Sequence, residues 1–266
     1  MTAPPGQIQA APGPVRRMNL WRLEWLRLVR TPRAISLAIL FIAIGLVEPV
    51  VTKYQATIFA HVGRGVRITA PAPTPADSLN AYVSEVTLVG LILVVVLAAG
   101  AFTFDARPGL AIFLRTRVSG CWQLLAPRFA VWAAAAAVAY LLGTLAAWYE
   151  TVLLIGRLPA AQVLAGVACG AVYLTFAVAV TALAASMARS TIATAGIAFI
   201  FLLALPVLSS VGVLARWLPS SLVSAPVELV TGTHQLWYFW PSLLTAALAA
   251  GAALAAATRR LSAREV

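Results

Sequence analysis

The side chains able to do chemistry are few, and many of them crowd into one stretch. FDARPGLAIFLRTRVSGCWQLLAPR, residues 104–128, sets Asp105, Arg107, Arg115, Arg117 and Arg128 among Leu, Ile and Phe side chains. Elsewhere the candidates for covalent, metal or phosphate chemistry fail on context. The single lysine, Lys53, stands in VTKY between Thr52 and Tyr54. A phosphate-gripping loop needs G-K-[ST] at a helix start, where backbone N–H groups and the lysine share the phosphate oxygens. This chain does not bind ATP by that device. His61 and His234 fall on separate predicted loops without Asp or Glu at metal-ligand spacing, and each reads as a solvated or interfacial side chain. Cys121 and Cys169 are predicted on a loop and inside a span, so they form no disulfide or metal framework. Ser119-Gly120 lacks the intramembrane histidine that a serine protease within the bilayer requires. What remains is a charged, amphipathic insert, and its chemistry is that of docking.

The elements around that insert are apolar. The sequence is 62% hydrophobic and 10% charged, with a mean hydropathy of +0.92; soluble domains run at about half apolar and a quarter charged. Stretches of 19 to 31 residues pass without a charge, as between Glu85 and Asp105 or between Arg157 and Arg189. A bilayer span needs roughly 20 mostly apolar residues, satisfied internally as a helix. The pattern predicts an all-α membrane protein with six transmembrane helices at 34–53, 83–104, 129–149, 162–187, 191–214 and 237–257. Six spans put both termini on one side, and fourteen of the 19 Arg and Lys residues fall there. The positive-inside rule makes that side cytoplasmic in a cell membrane. The net charge of +11 is then a matter of topology, and no nucleic-acid partner is implied. Arg16-Arg17 is not followed by the nearby apolar run and small-residue cleavage site of an export signal.

Residues 1–15 read as a disordered tail of Pro, Ala and Gly. Residues 16–31 have helical periodicity, with Met18, Trp21, Trp25, Leu28 and Val29 on one face and Asn19, Arg22, Arg27 and Arg30 mostly opposite. Trp on the apolar side and Arg on the polar side describe a helix lying in the membrane interface, or a plain topogenic anchor. Thr31-Pro32 breaks it before the first span. The longest outer loop, 54–82, is Pro-rich and exposed, and residues 188–190 make a tight turn between two antiparallel spans. Glu48, Glu85 and Glu150 fall at the outer span ends, either paired inside a vestibule or reaching out to water. Gly166 and Gly170 fit a GxxxG helix-contact pattern, which an Ala-rich chain also produces by chance. Pro206 interrupts the fifth span. After it, SAPVELV is a short amphipathic stretch, and WYFW before Pro241 suits an aromatic belt, with the segment either dipping into the outer leaflet or standing in water. Residues 259–266 are a basic tail.

The insert at 105–128 has Pro108-Gly109 as a start signal, then LAIFLRTRV and CWQLLAPR around Ser119-Gly120. An apolar face with basic edges suits headgroups or a groove on a partner protein. Taken with RLEWLRLVRTPRAISLAILF, LPSSLVSAPVELVTG and RRLSAREV, in that order along nearly the whole chain, this loop resembles the ABC-2-type transporter permeases, the membrane subunits of bacterial ABC exporters. The resemblance implies the type V-like exporter architecture and a coupling helix seated in a separate ABC ATPase subunit. Asp105, Arg107 and Gly109 match the acid-x-Arg-x-Gly entry of that loop, and Leu110, Phe113, Leu114, Arg115 and Arg117 fall on the implied contact helix. The family often has Thr-Leu-Glu after that glycine; here Leu110-Ala111-Ile112 stands instead, which predicts a more apolar groove or one met by Arg115 and Arg117.

By the same resemblance the complex has two ATPase copies and two permeases, identical or homologous. ATP and Mg sit in the partner, and this chain has no cofactor and is no enzyme alone. The path carries a hydrophobic or amphipathic substrate such as a drug, antibiotic, peptide or lipid. Two competing readings are a non-transporting membrane scaffold or sensor that docks a cytoplasmic partner through residues 105–128, and a small secondary carrier working alone.

Overall fold

The computed structural model describes residues 20–62, 72–103, 121–210 and 212–263, and every regular element among them is helical. The N-terminal helix α1 runs Leu20–Arg30 and α2 runs Pro32–Val62, with Pro32 at a first helical turn where its missing N–H costs nothing. Next come α3 (Pro75–Phe102), α4 (Cys121–Leu154), α5 (Ala160–Met187) and α6 (Thr191–Ser209). The short α7 (Ser221–Thr231), a 3-10 turn at Leu236–Phe239 and α8 (Trp240–Ala263) complete the bundle. Helices α2 to α6 and α8 are long and apolar enough to cross a membrane, and by length and composition they mark a multi-pass membrane protein.

Helix α5 is the axis. Its most apolar window is 67% buried, against 28% for α2 and α6, so α5 is packed over most of its surface while those two leave most of theirs open. Small residues make this possible: Ala177, Ala179 and Ala182 alternate with Phe176, Val178 and Val180 in the buried core. Against lipid the hydrophobic effect offers no drive for helix association, so close packing has to supply it. Accordingly α2 and α4 cross backbone to backbone at Gly45 and Gly143. A Cβ on Gly143 would stand 2.6 Å from the Phe41 carbonyl oxygen, and one on Gly45 would strike the carbonyl of Gly143. Beside this crossing, the Tyr82 hydroxyl donates to the Tyr140 carbonyl at 3.3 Å and Thr144 donates to the same oxygen at 2.9 Å. In α3 a π-turn at Val86–Gly90 brings Gly90 under the ring of Phe41.

Several boundaries depart from the sequence expectation, each for a local reason. The loop expected at 54–82 is shortened from both sides. Helix α2 continues through Pro49 to Val62, and α3 begins at Pro75 in place of 83. TPAD is the cause of the early start. The Thr74 side chain accepts from the Asp77 N–H at 3.3 Å, Asp77 Oδ2 accepts from the Thr74 N–H at 2.8 Å, and Pro75 opens the first turn. One turn on, Ser78 and Thr151 share a 2.8 Å hydroxyl contact that fastens the extension to α4. The insert expected to run to 128 ends sooner, because CWQLLAPR is the first two turns of α4. The fifth span stops at Ser209, three residues after Pro206, short of 214. The tail expected from 259 is helical to Ala263, so Arg259 and Arg260 ride on the last turns of α8.

The GxxxG glycines face inward. A side chain on Gly166 would run into Pro226 of α7, and one on Gly170 into the ring of Tyr140. Both are consumed by contacts inside this chain and not by a second copy. SAPVELV is thus a short helix tucked against α5, with Leu222 and Ala225 fully buried. It ends at Gly232, whose φ of 73° is the left-handed conformation that glycine adopts without a Cβ clash.

Candidate functional site

Asp105, Arg107, Gly109, Leu110, Phe113, Leu114, Arg115 and Arg117 all lie outside the described residues, as do residues 1–19 of the tail and interfacial segment. What the structure describes is the frame from which the 104–120 segment departs and to which it returns: the end of α3, the start of α4 and the helix α1 packed beside them.

Helix α1 turns an unexpected face to the protein. Trp21, Trp25 and Val29 are exposed, at 53%, 55% and 53%, while Glu24 and Leu28 are buried. Arg22, Arg27 and Arg30 are exposed. The outward Trp and Arg set therefore remains open to its surroundings, but Leu28, expected among that set, packs inward instead. The reason is Glu24, the only acid among the basic residues of this segment. Lying one helical turn from Leu28, it shares that residue's face and meets a cation within the bundle.

The cation is Arg128, 5% exposed and seven residues, about 10 Å, into α4. Its Nε donates to Glu24 Oε1 at 2.8 Å and its Nη1 donates to the Ala101 carbonyl at 3.0 Å. Ala101 belongs to the last turn of α3, where carbonyls have no partner within the helix and the dipole is negative. One guanidinium thus satisfies a carboxylate on α1 and the C-terminus of α3 from a base on α4. Its planar fork suits this double duty in a way an ammonium does not. Arg27 stands 3.8 Å from the same carboxylate oxygen. Glu24, Arg27, Leu28, Thr31, Arg33, Ala101 and Trp132 line a small cavity at the junction. Next to it the Thr103 and Thr191 hydroxyls meet at 3.1 Å, linking the end of α3 to the start of α6.

Sequence reasoning counted Arg128 as a loop charge and gave Glu24 no role. A signal was present: an isolated Arg flanked by CWQLLAP and FAVWAAAAA sits where an unpaired charge is expensive, so an acid elsewhere had to answer it. Which acid is a question of tertiary packing. His234 has partners to which nothing in the sequence points: its Nδ1 lies 2.9 Å from Glu228 Oε2, and its ring stacks on Tyr238 at 3.8 Å, with the side chain about a third exposed. Glu48, Glu85 and Glu150 are half-buried, and none forms an ion pair among the described residues. His61 lies outside the described side chains. No group of three His, Cys, Asp or Glu residues close enough to hold a metal occurs among the described residues.

Among the described residues, this junction sets no nucleophile beside a base. It can neutralise a buried charge, and it can make three helix ends move together. Comparison with family models, curated proteins and solved structures finds no match for this chain.

Proposed function

We propose that the chain is the transmembrane permease subunit of an ATP-driven exporter of the ABC-2 type, passing a hydrophobic or amphipathic substrate across a cell membrane, with both termini cytoplasmic. A separate ABC ATPase, in two copies, would bind ATP and Mg, and a second permease would complete the path. The observation that carries this reading is the Glu24–Arg128–Ala101 joint at the base of the 104–120 segment. A push delivered to a segment strung between α3 and α4 does work on the bundle only if those two helix ends cannot yield separately. Arg128 ties them to each other and to α1, so a displacement of the segment becomes a displacement of the frame.

The experiment is purification of the full chain with its associated proteins in mild detergent. Recovery of an ATPase that is lost on replacing Leu110, Phe113 and Leu114 together by Glu supports docking through the segment. ATP-dependent transport in vesicles then separates an exporter from a scaffold or sensor. Transport by the isolated chain without any partner or nucleotide would overturn the proposal. Within an active complex, Arg128→Met should preserve ATPase docking and depress transport per ATP consumed, because contact is kept while transmission is not.

A further inference from the structure

The end of the bundle away from α1 carries a charged group with no part in the Glu24–Arg128 joint. Arg216, between α6 and α7, is exposed and lacks a carboxylate partner among the described residues. The nearest part of the cap offers it none. Glu228 is engaged by His234 at 2.9 Å, and the Arg216 guanidinium instead lies 5.4 Å from the ring centroid of Tyr238. Three exposed indoles belong to the segments flanking α7 and to the start of α8. Trp237 stacks on Trp240 with ring centroids 5.9 Å apart, and Trp217 meets Trp240 edge to face at 6.4 Å. All three are open, at 75%, 40% and 49% exposure. Leu214 and Leu236, also exposed, continue the apolar surface.

This patch is fixed by its backbone, not by burial of its rings. The Arg216 carbonyl accepts from the Ser242 hydroxyl at 2.7 Å, and the Trp217 carbonyl accepts from the Thr245 hydroxyl at 2.5 Å. Arg216 and Trp217 are thereby held against the first turn of α8, whose dipole adds positive potential at that point. A rigid platform of exposed indoles with one uncompensated guanidinium, at the level where a span ends, has the chemistry of a headgroup receptor. The guanidinium fork matches two phosphodiester oxygens, and the indole faces pack against glycerol and the first acyl methylenes. A ligand with its own ammonium gains less, since Glu228, the acid of this cap among the described residues, is already engaged by His234.

We propose that Arg216, Trp217, Trp237 and Trp240 form a binding site for the headgroup of one anionic phospholipid. The proposal rests on the membrane-spanning reading and is independent of ATP-driven transport. Place the full chain in phosphatidylcholine nanodiscs and titrate brominated phosphatidylglycerol or brominated phosphatidylcholine while following tryptophan fluorescence. Subtraction of a Trp217→Phe, Trp237→Phe, Trp240→Phe variant isolates the patch from the other tryptophans. The expected result is quenching of the patch at about fivefold lower mole fraction of the anionic lipid, the scale of one basic side chain at a charged surface. That preference should vanish in Arg216→Gln and persist in Arg216→Lys at reduced strength.

Equal quenching by the two lipids in the unaltered chain overturns the site and leaves an ordinary interfacial belt, whatever the variants do. A preference that survives in Arg216→Gln overturns the role of Arg216. Absence of quenching by either lipid, at any tryptophan, would mean the chain is not inserted and would overturn the membrane reading with it.

Discussion

At the end of the bundle where α1 lies, one buried ion pair joins three helices; at the opposite end, a ladder of hydroxyls and stacked rings holds the last connection. Glu24 and Arg128 are 9% and 5% exposed, so each is costly without the other. In the cap, Ser242 touches the Ser221 hydroxyl at 2.6 Å and donates to the Arg216 carbonyl at 2.7 Å. Thr245 binds the Trp217 carbonyl, and His234 pairs with Glu228 while both remain about a third exposed. The two designs fail differently. A buried charge pair is all or nothing, because removing one partner strands the other in a low dielectric. Hydroxyl contacts are small and nearly independent, so the cap loosens by degrees. A joint that transmits force suits the first, and a fixed platform suits the second.

The contrast is sharpest at Arg128. Arg128→Met should destabilise the chain by about 3 kcal/mol, the lower end for a broken buried pair, because Glu24 stays buried with only the longer 3.8 Å contact to the exposed Arg27. Glu24→Leu combined with Arg128→Met should recover most of that loss, as a paired apolar replacement does. Unfolding in detergent, followed by circular dichroism, measures both. A double variant as unstable as the single one would show that the pair is not an isolated joint.

Packing against the cap comes next. Gly166→Ala should cost about 1–3 kcal/mol, because its methyl meets the backbone of Pro226 and not a movable side-chain tip. Maleimide labelling of Ala225→Cys, in a background lacking Cys121 and Cys169, should rise in that variant as α7 lifts from α5. Unchanged labelling would mean that α7 follows α5 as one body.

Smaller still, Ser242→Ala removes two polar contacts at roughly 0.6 kcal/mol each, the mean for hydrogen bonds within membrane proteins. A loss near that of Arg128→Met would erase the distinction between the ends. Smallest of all, His234→Gln should change stability by less than about 1 kcal/mol, since both partners remain about a third exposed to solvent. The same unfolding assay ranks all of these.

The membrane class was legible because it depends on composition summed over a window. A span of 20 apolar residues cannot hide, and the stop at Thr31-Pro32 follows from proline chemistry alone. TPAD was equally readable as a capping box, yet its Pro-rich setting suggested a loop. The joint was harder. Nothing in LWRLEWLRLVR says which face Glu24 turns, because apolar residues flank it on both sides of the helix, Leu20 and Leu23 on one and Trp25 and Leu28 on the other. GxxxG was visible, but its partner was not; two glycines announce a close approach without saying whose backbone arrives.

The chain's own order of residues determined that six helices are apolar enough to span a membrane, where proline and capping residues start and stop several of them, and that no phosphate-gripping loop is present. These are local or additive properties, set by neighbours within one or two turns. Only the tertiary structure decided that Glu24 answers Arg128 from 104 positions away, that Gly166 receives Pro226, and that Arg216 is left exposed beside Tyr238. Each of those outcomes depends on which helix faces meet, and in an Ala-rich bundle many faces are chemically alike until the buried charges and the closest backbone crossings select among them.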